Sequence, residues 1–142
     1  MAVIINEEAR RVMIQDAEKT FPNECCGFMY GHEVNEDREV TEAVPVQNEK
    51  EGDQRRRFEI SPLQYMKAEQ YAEENNLSLL GVYHSHPQHP AIPSEHDRKQ
   101  AMPWFSYVIL SVMDGRTDDI TSWQLNDDRE FDEEPIKSEL IF

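Results

Sequence analysis

Nine consecutive residues, Phe105-Ser106-Tyr107-Val108-Ile109-Leu110-Ser111-Val112-Met113, place β-branched and aromatic side chains on both faces of an extended chain. Such a segment belongs at the centre of a sheet, where both faces are covered. Helical patterns elsewhere supply the covers. Asn6 can cap a helix with Glu7 and Glu8 in its first turn and Ala9, Val12, Met13 and Ala17 on one stripe, ended by Phe21-Pro22-Asn23. Ser61-Pro62-Leu63-Gln64 starts a second helix that runs to about Glu74, with Leu63, Met66 and Tyr71 expected to face inward. A third runs from Ser94 to about Met102.

Between these lie extended segments. Glu24 to Gly31 reads as a buried strand, Arg38 to Val46 as a second, Arg57 to Ile60 as a short third, and Leu77 to His86 as a fourth. Asp114-Gly115-Arg116 turns the central strand into a return strand over Ile120 to Leu125, and Ile136 to Phe142 is expected at an edge. Residues 47–56 are polar, contain glycine and read as a mobile loop. The pattern predicts an α+β fold, a single mixed β-sheet flanked by helices. At 142 residues the expectation is one domain, 1–142, able to bury about two thirds of its extended-chain surface.

His84 and His86 sit one residue apart at the end of the fourth strand, so both side chains point the same way. Pro87, Pro90 and Pro93 stiffen the loop that follows, and Asp97 then falls at the start of the third helix. Two imidazoles and a carboxylate are three protein ligands for a zinc ion with one position left open, as catalytic zinc sites require. Ser94-x-x-Asp97 also has the spacing of a helix capping box. Ser94 therefore has two readings, a cap and a donor to an oxyanion opposite a metal, filled at different moments. Hydrolysis at such a site needs a proton carrier. Glu24, at the mouth of a core strand, is one candidate among many acids, and a solvated turn residue is an equal reading of it.

The segments Pro22-x-Glu24-x-Cys26-Gly27, His84-Ser85-His86-Pro87 and Ser94-x-x-Asp97 together resemble the JAMM (MPN+, JAB1/MPN/Mov34) metalloproteases, in a compact prokaryotic form. The resemblance covers the chain from the first helix to the strand ending at Met113 and implies a cytidine-deaminase-like α+β fold. By that resemblance His84, His86 and Asp97 hold one Zn2+, Glu24 carries the proton and Ser94 stabilises the oxyanion. The implied activity is a zinc metallopeptidase or isopeptidase that cuts after the C-terminal Gly-Gly tail of a ubiquitin-like or sulfur-carrier protein. The His-Asn-His-Pro-Ser-Gly form of DNA-repair-associated relatives is missing, as are the long insertions of polyubiquitin-selective members. Two other readings compete: a non-catalytic MPN-type scaffold that binds partner proteins, and a zinc peptidase acting on small peptides. A homodimer stays open.

Charge narrows the partners. With 14 Lys+Arg against 29 Asp+Glu the formal net charge is −15, which opposes binding to nucleic acid or to an anionic membrane. The one dense basic cluster, Arg55-Arg56-Arg57, reads as a solvated loop. The amino terminus lacks a signal-peptide pattern, no run nears the ~20 apolar residues of a membrane span, and the adjacent Cys25 and Cys26 suggest no disulfide framework. These features fit a cytoplasmic setting. The cysteines are read as core residues rather than nucleophiles, and His89 and His96 as loop and helix-surface residues, with His89 able to touch substrate.

Overall fold

The doubly apolar run becomes strand β5 (Ser106–Met113), and it lies inside the sheet as its side chains demand. The computed structural model describes residues 2–138. Around β5 the elements are β1 (Val3–Ile5), α1 (Glu7–Thr20), β2 (Cys26–Val34), β3 (Asp37–Val46), α2 (Pro62–Glu74), β4 (Ser78–Pro87), α3 (Glu95–Gln100), β6 (Arg116–Leu125), β7 (Phe131–Glu134) and β8 (Ile136–Ser138). They form one mixed sheet in the order β7-β6-β5-β4-β2-β3-β1-β8, with β4 parallel to β5 and β1 parallel to both β3 and β8. No helix among the described residues is long and apolar enough to cross a membrane.

Each face of the sheet carries its own apolar cluster. Ala9, Met13 and Ala17 of α1 pack with Met29, Leu80, Tyr83, Val108 and Leu110 on one side. Ala68 and Ala72 of α2 pack with Phe28, Tyr30, Val82 and Tyr107 on the other. The Asn6 cap is present, its side chain accepting from Ala9 N–H at 2.8 Å. The Ser61 capping box is complete as well.

Four expectations change. Leu63 and Met66 point outward, 54 % and 49 % exposed, while Ala68 and Ala72 are buried. At 3.6 residues per turn, Leu63 and Met66 stand about 140° and 160° around the helix from Ala68. The alanines let α2 approach closely, and Tyr65 and Tyr71 fill its margins against Phe28 and Tyr30, with ring centroids 5.4 and 4.9 Å apart. Residues 57–60 are not a strand. Phe58 and Ile60 are buried in alternation, but the backbone pairs with the loop before it, through Glu49 N–H to Glu59 O, rather than with a ladder. Residues 47–56 are a hydrogen-bonded loop tied to Glu24. The helix after Ser94 ends at Gln100, two residues early, because Ala101 is already extended. The expected edge strand is present as β8 up to Ser138, and residues 139–142 lie outside the described residues.

The chain passes from β7 to β8 through Pro135 alone, although these strands stand at opposite ends of the sheet order. The sheet must therefore curl until its two edges meet, and Val3 N–H donates to Pro135 O across the join. Inside this curl Arg38 is fully buried, donating to Ser106 Oγ at 2.9 Å with Trp104 stacked 4.0 Å from its guanidinium carbon. Close packing continues at Gly81, where a Cβ would stand 1.8 Å from the carbonyl oxygen of Ser106 on the neighbouring strand. Gly81→Ala is expected to lower stability by about 3 kcal/mol, since backbone must move to admit it. A urea midpoint equal to wild type would contradict this packing.

Candidate active site

The period of a strand and the start of a helix bring the ligand candidates together. His84 and His86 project from the end of β4 onto the face that α2 covers, and α3 begins opposite them. The intervening loop is fastened to the sheet: Ser111 Oγ donates to His89 O at 2.6 Å and Thr121 Oγ1 to Ala91 O at 2.7 Å. Asp97 is thereby carried to the histidines. His84 Nε2 and His86 Nε2 are 3.2 Å apart, and Asp97 Oδ2 lies 3.2 and 3.0 Å from them.

These three atoms can hold a metal ion. Ligands at zinc distances of about 2.0–2.1 Å in a tetrahedron stand about 3.3 Å apart, close to the spacing seen. The donor chemistry agrees. His86 Nδ1 is 2.9 Å from Pro90 O and donates to it, so its Nε2 turns a lone pair toward Asp97 Oδ2. Two lone pairs at 3.0 Å need a cation or a proton between them. His84 is held neutral because burial pushes it down against the pull of Asp97, and neutral imidazole is the ligand form. Burial would raise Asp97, but a single proton shared with the His84–His86 pair supplies the positive charge that favours its carboxylate, the place a bound cation would take. Phe58 stacks on the His84 ring at 4.4 Å and fixes its plane.

Ser94 forms the expected helix cap. Its Oγ accepts from Asp97 N–H at 3.0 Å while its N–H donates to Asp97 Oδ2 at 2.9 Å. Capping uses only a lone pair of the hydroxyl, so the O–H proton stays available for a second acceptor. Ser94 also lines a cleft of about 510 Å³ together with Glu24, His86, His89, Ile92 and Arg56. Arg55, Arg56 and Arg57 are all exposed, as a solvated loop should be, but Arg56 faces this cleft. His96 does not line it.

Glu24 is 4 % exposed, and its Oε1 has no hydrogen-bond partner. Burial, helped by the negative charge of Asp97, pushes its carboxyl up to about 9 from an ordinary 4.5. In the metal-free protein the folded state therefore keeps a proton that the unfolded chain releases. Its contribution to stability is intact below pH 4.5 and is lost as pH rises toward 9. Between pH 5 and 8 metal-free wild type is expected to lose stability relative to Glu24→Gln, measured by urea unfolding; parallel curves for the two would contradict a proton held by Glu24. Cys25 and Cys26 are buried, and burial raises both thiols, Cys26 to about 12, so neither is a nucleophile at neutral pH.

The sequence signals missed three contributors: Phe58 against His84, the Pro90 carbonyl behind His86, and the Asn48 amide that holds the Glu24 carbonyl, braced by the Gln54 amide. A ring face, a main-chain oxygen and loop amides have no spacing that marks them in a sequence.

A curled mixed sheet with a His-x-His strand end facing an Asp at a helix start defines an MPN-type fold in which three side chains are placed to hold a metal ion. Residues 6–126 match the family described as prokaryotic homologs of the JAB domain, and the chain belongs to that family. It is 35 % identical over 106 residues to a probable TtuB-protein conjugate cleaving protease of Thermus thermophilus, covering 75 % of this chain and 65 % of that protein. It is 35 % identical over 96 residues to a desampylase of Haloferax volcanii, covering 67 % of this chain and 66 % of the relative. The matched stretch thus spans just under two thirds of each relative. A solution structure from Desulfitobacterium hafniense superimposes with a TM-score of 0.84 at 29 % identity, covering 96 % of this chain and 92 % of the other. A JAB1/MPN domain protein of Archaeoglobus fulgidus shares the fold, with a TM-score of 0.60 at 14 % identity over 97 % of both chains.

Proposed function

We propose that this protein is a zinc-dependent peptidase or isopeptidase that cleaves the bond following the C-terminal Gly-Gly tail of a ubiquitin-like or sulfur-carrier protein. The observation that carries this reading is the convergence of His84 Nε2, His86 Nε2 and Asp97 Oδ2 within 3.2 Å of one another, beside a cleft that also presents Glu24 and Ser94. The relatives named for cleaving TtuB conjugates and for desampylation support the substrate class. In this reading His84, His86 and Asp97 would hold one zinc ion, which when bound would supply Lewis acidity and a more acidic water. A cation held there would favour the ionised form of Glu24 against its burial, leaving the carboxylate as the proton acceptor. It takes the proton from the attacking water and delivers it to the departing nitrogen. Ser94 donates its free O–H to the oxyanion that develops on the scissile carbonyl. A glycine tail has no side chains to accommodate and can lie extended in such a cleft. The buried, unpaired thiols of Cys25 and Cys26 accord with a reducing cytoplasmic setting.

Metal analysis tests the reading. Purified protein is expected to carry one zinc per chain, to lose hydrolysis with chelator and to regain it with added zinc. Hydrolysis that survives complete zinc removal would overturn it, as would the scaffold outcome of no bound zinc and no hydrolysis.

A further inference from the structure

Glu24 Oε1 makes no hydrogen bond, so the direction of this side chain is set through its main chain. One loop grips that main chain on both sides. Glu24 N–H donates to Gln54 O at 2.7 Å, and Glu24 O accepts from Asn48 Nδ2 at 3.2 Å. Asn48 uses its whole amide: Nδ2 also donates to Arg57 O at 3.1 Å, and Oδ1 accepts from the N–H groups of Lys50 and Glu59 at 2.9 and 3.1 Å. Gln54 Nε2 reinforces it by donating to Asn48 O and Lys50 O at 3.1 and 2.9 Å. On the far side, Cys25 N–H donates at 2.8 Å to the Oγ of Ser85, the residue between the two histidines in the sequence of β4. Glu24 is thus bracketed between the ligand strand and a polar loop whose centre is one asparagine.

We propose that Asn48 is a positioning residue for the proton carrier: its carboxamide locks the loop 47–59 and, through Nδ2, fixes the Glu24 main chain at the cleft. This rests on the reading of Glu24 as proton carrier given above. The chemistry asks for such a device, since a proton acceptor displaced by about 1 Å can lose about 100-fold in rate. The two halves of the carboxamide also separate. The Oδ1 side closes the loop upon itself, whereas the Nδ2 side reaches Glu24 and Arg57. Asn48→Asp keeps the first and removes the second.

The test compares wild type, Asn48→Asp and Asn48→Ala in two ways. Amide hydrogen exchange, resolved by residue in the metal-free protein, is expected to quicken at Glu24 by about tenfold or more in both variants, with Phe28 and Met29 of β2 unchanged. In zinc-loaded protein, kcat on a carrier–Gly-Gly–reporter fusion is expected to fall about 10- to 100-fold with KM and zinc content unchanged. In a Glu24→Gln background, Asn48→Asp should then add no further loss. Unchanged exchange at Glu24, an unchanged kcat, or a loss that persists in full in the Glu24→Gln background each overturns the proposal. Should Asn48→Ala fail to fold, Asn48→Asp carries both measurements. If wild type cleaves no fusion, the functional reading falls, and the exchange at Glu24 alone decides whether Asn48 holds its main chain.

Discussion

Glu24→Gln is expected to leave the zinc in place and to lower the rate of hydrolysis by about 10³- to 10⁴-fold. Glutamine keeps the volume and most of the polarity of a side chain that is 4 % exposed, so the cleft should not collapse. What disappears is the capacity to accept a proton and return it to the leaving nitrogen. Few groups at the cleft could take its place. Asp97 is bound to His84, His86 and Ser94, and the remaining titratable groups that line the cleft are His86, His89 and Arg56. His86 already donates Nδ1–H to Pro90 O, Arg56 has no lone pair with which to accept a proton, and His89 is left as the other group at the cleft able to accept one. The loss should appear in kcat rather than KM, because a proton carrier acts in the transition state and contributes little to holding the tail. Stopped-time product analysis at saturating substrate checks it. A variant with more than a tenth of wild-type kcat would remove Glu24 from the chemistry.

The second large effect is expected from His86→Ala. It removes one of the three proposed ligand atoms and the Nδ1 contact that orients the ring, leaving only His84 and Asp97 to hold an ion. Zinc content should fall from one per chain to below a tenth, and hydrolysis to background. Stability gives a second readout. A ligand bound only by the folded state raises the unfolding midpoint in proportion to the logarithm of its excess over Kd. Added zinc should therefore raise the midpoint of wild type and leave His86→Ala where it was. An equal zinc-dependent rise in both proteins would place the metal elsewhere.

How far the site could be read from sequence depended on the range of each signal. His84 and His86 were legible because strand geometry puts alternate residues on one side, and Ser94 with Asp97 because a helix start has its own local spacing. Glu24 lies sixty residues before His84 and was one acid among many until a family resemblance singled it out. The central strand and the two-sided cover followed from its apolar run. The orientation of α2 did not, because its buried face is made of alanines, and Leu63 and Met66 mislead any reading by residue size. Alternation at Phe58 and Ile60 reported their burial correctly but could not tell a ladder strand from an extended segment resting on Asn48. The three- and four-residue strands β1 and β7 are too short to carry a pattern and are defined by their neighbours.

The central claim is that this cleft hydrolyses the bond after a Gly-Gly tail through the zinc ligands His84, His86 and Asp97 with Glu24 as proton carrier. The most direct measurement is the mass of the products when protein carrying one zinc per chain is incubated with a ubiquitin-like carrier–Gly-Gly–reporter fusion, beside the same fusion with Glu24→Gln. Two products whose masses place the cut immediately after the second glycine, formed by wild type and not by the variant, are the expected result. An intact fusion with wild type, or the same products from both proteins, would contradict it.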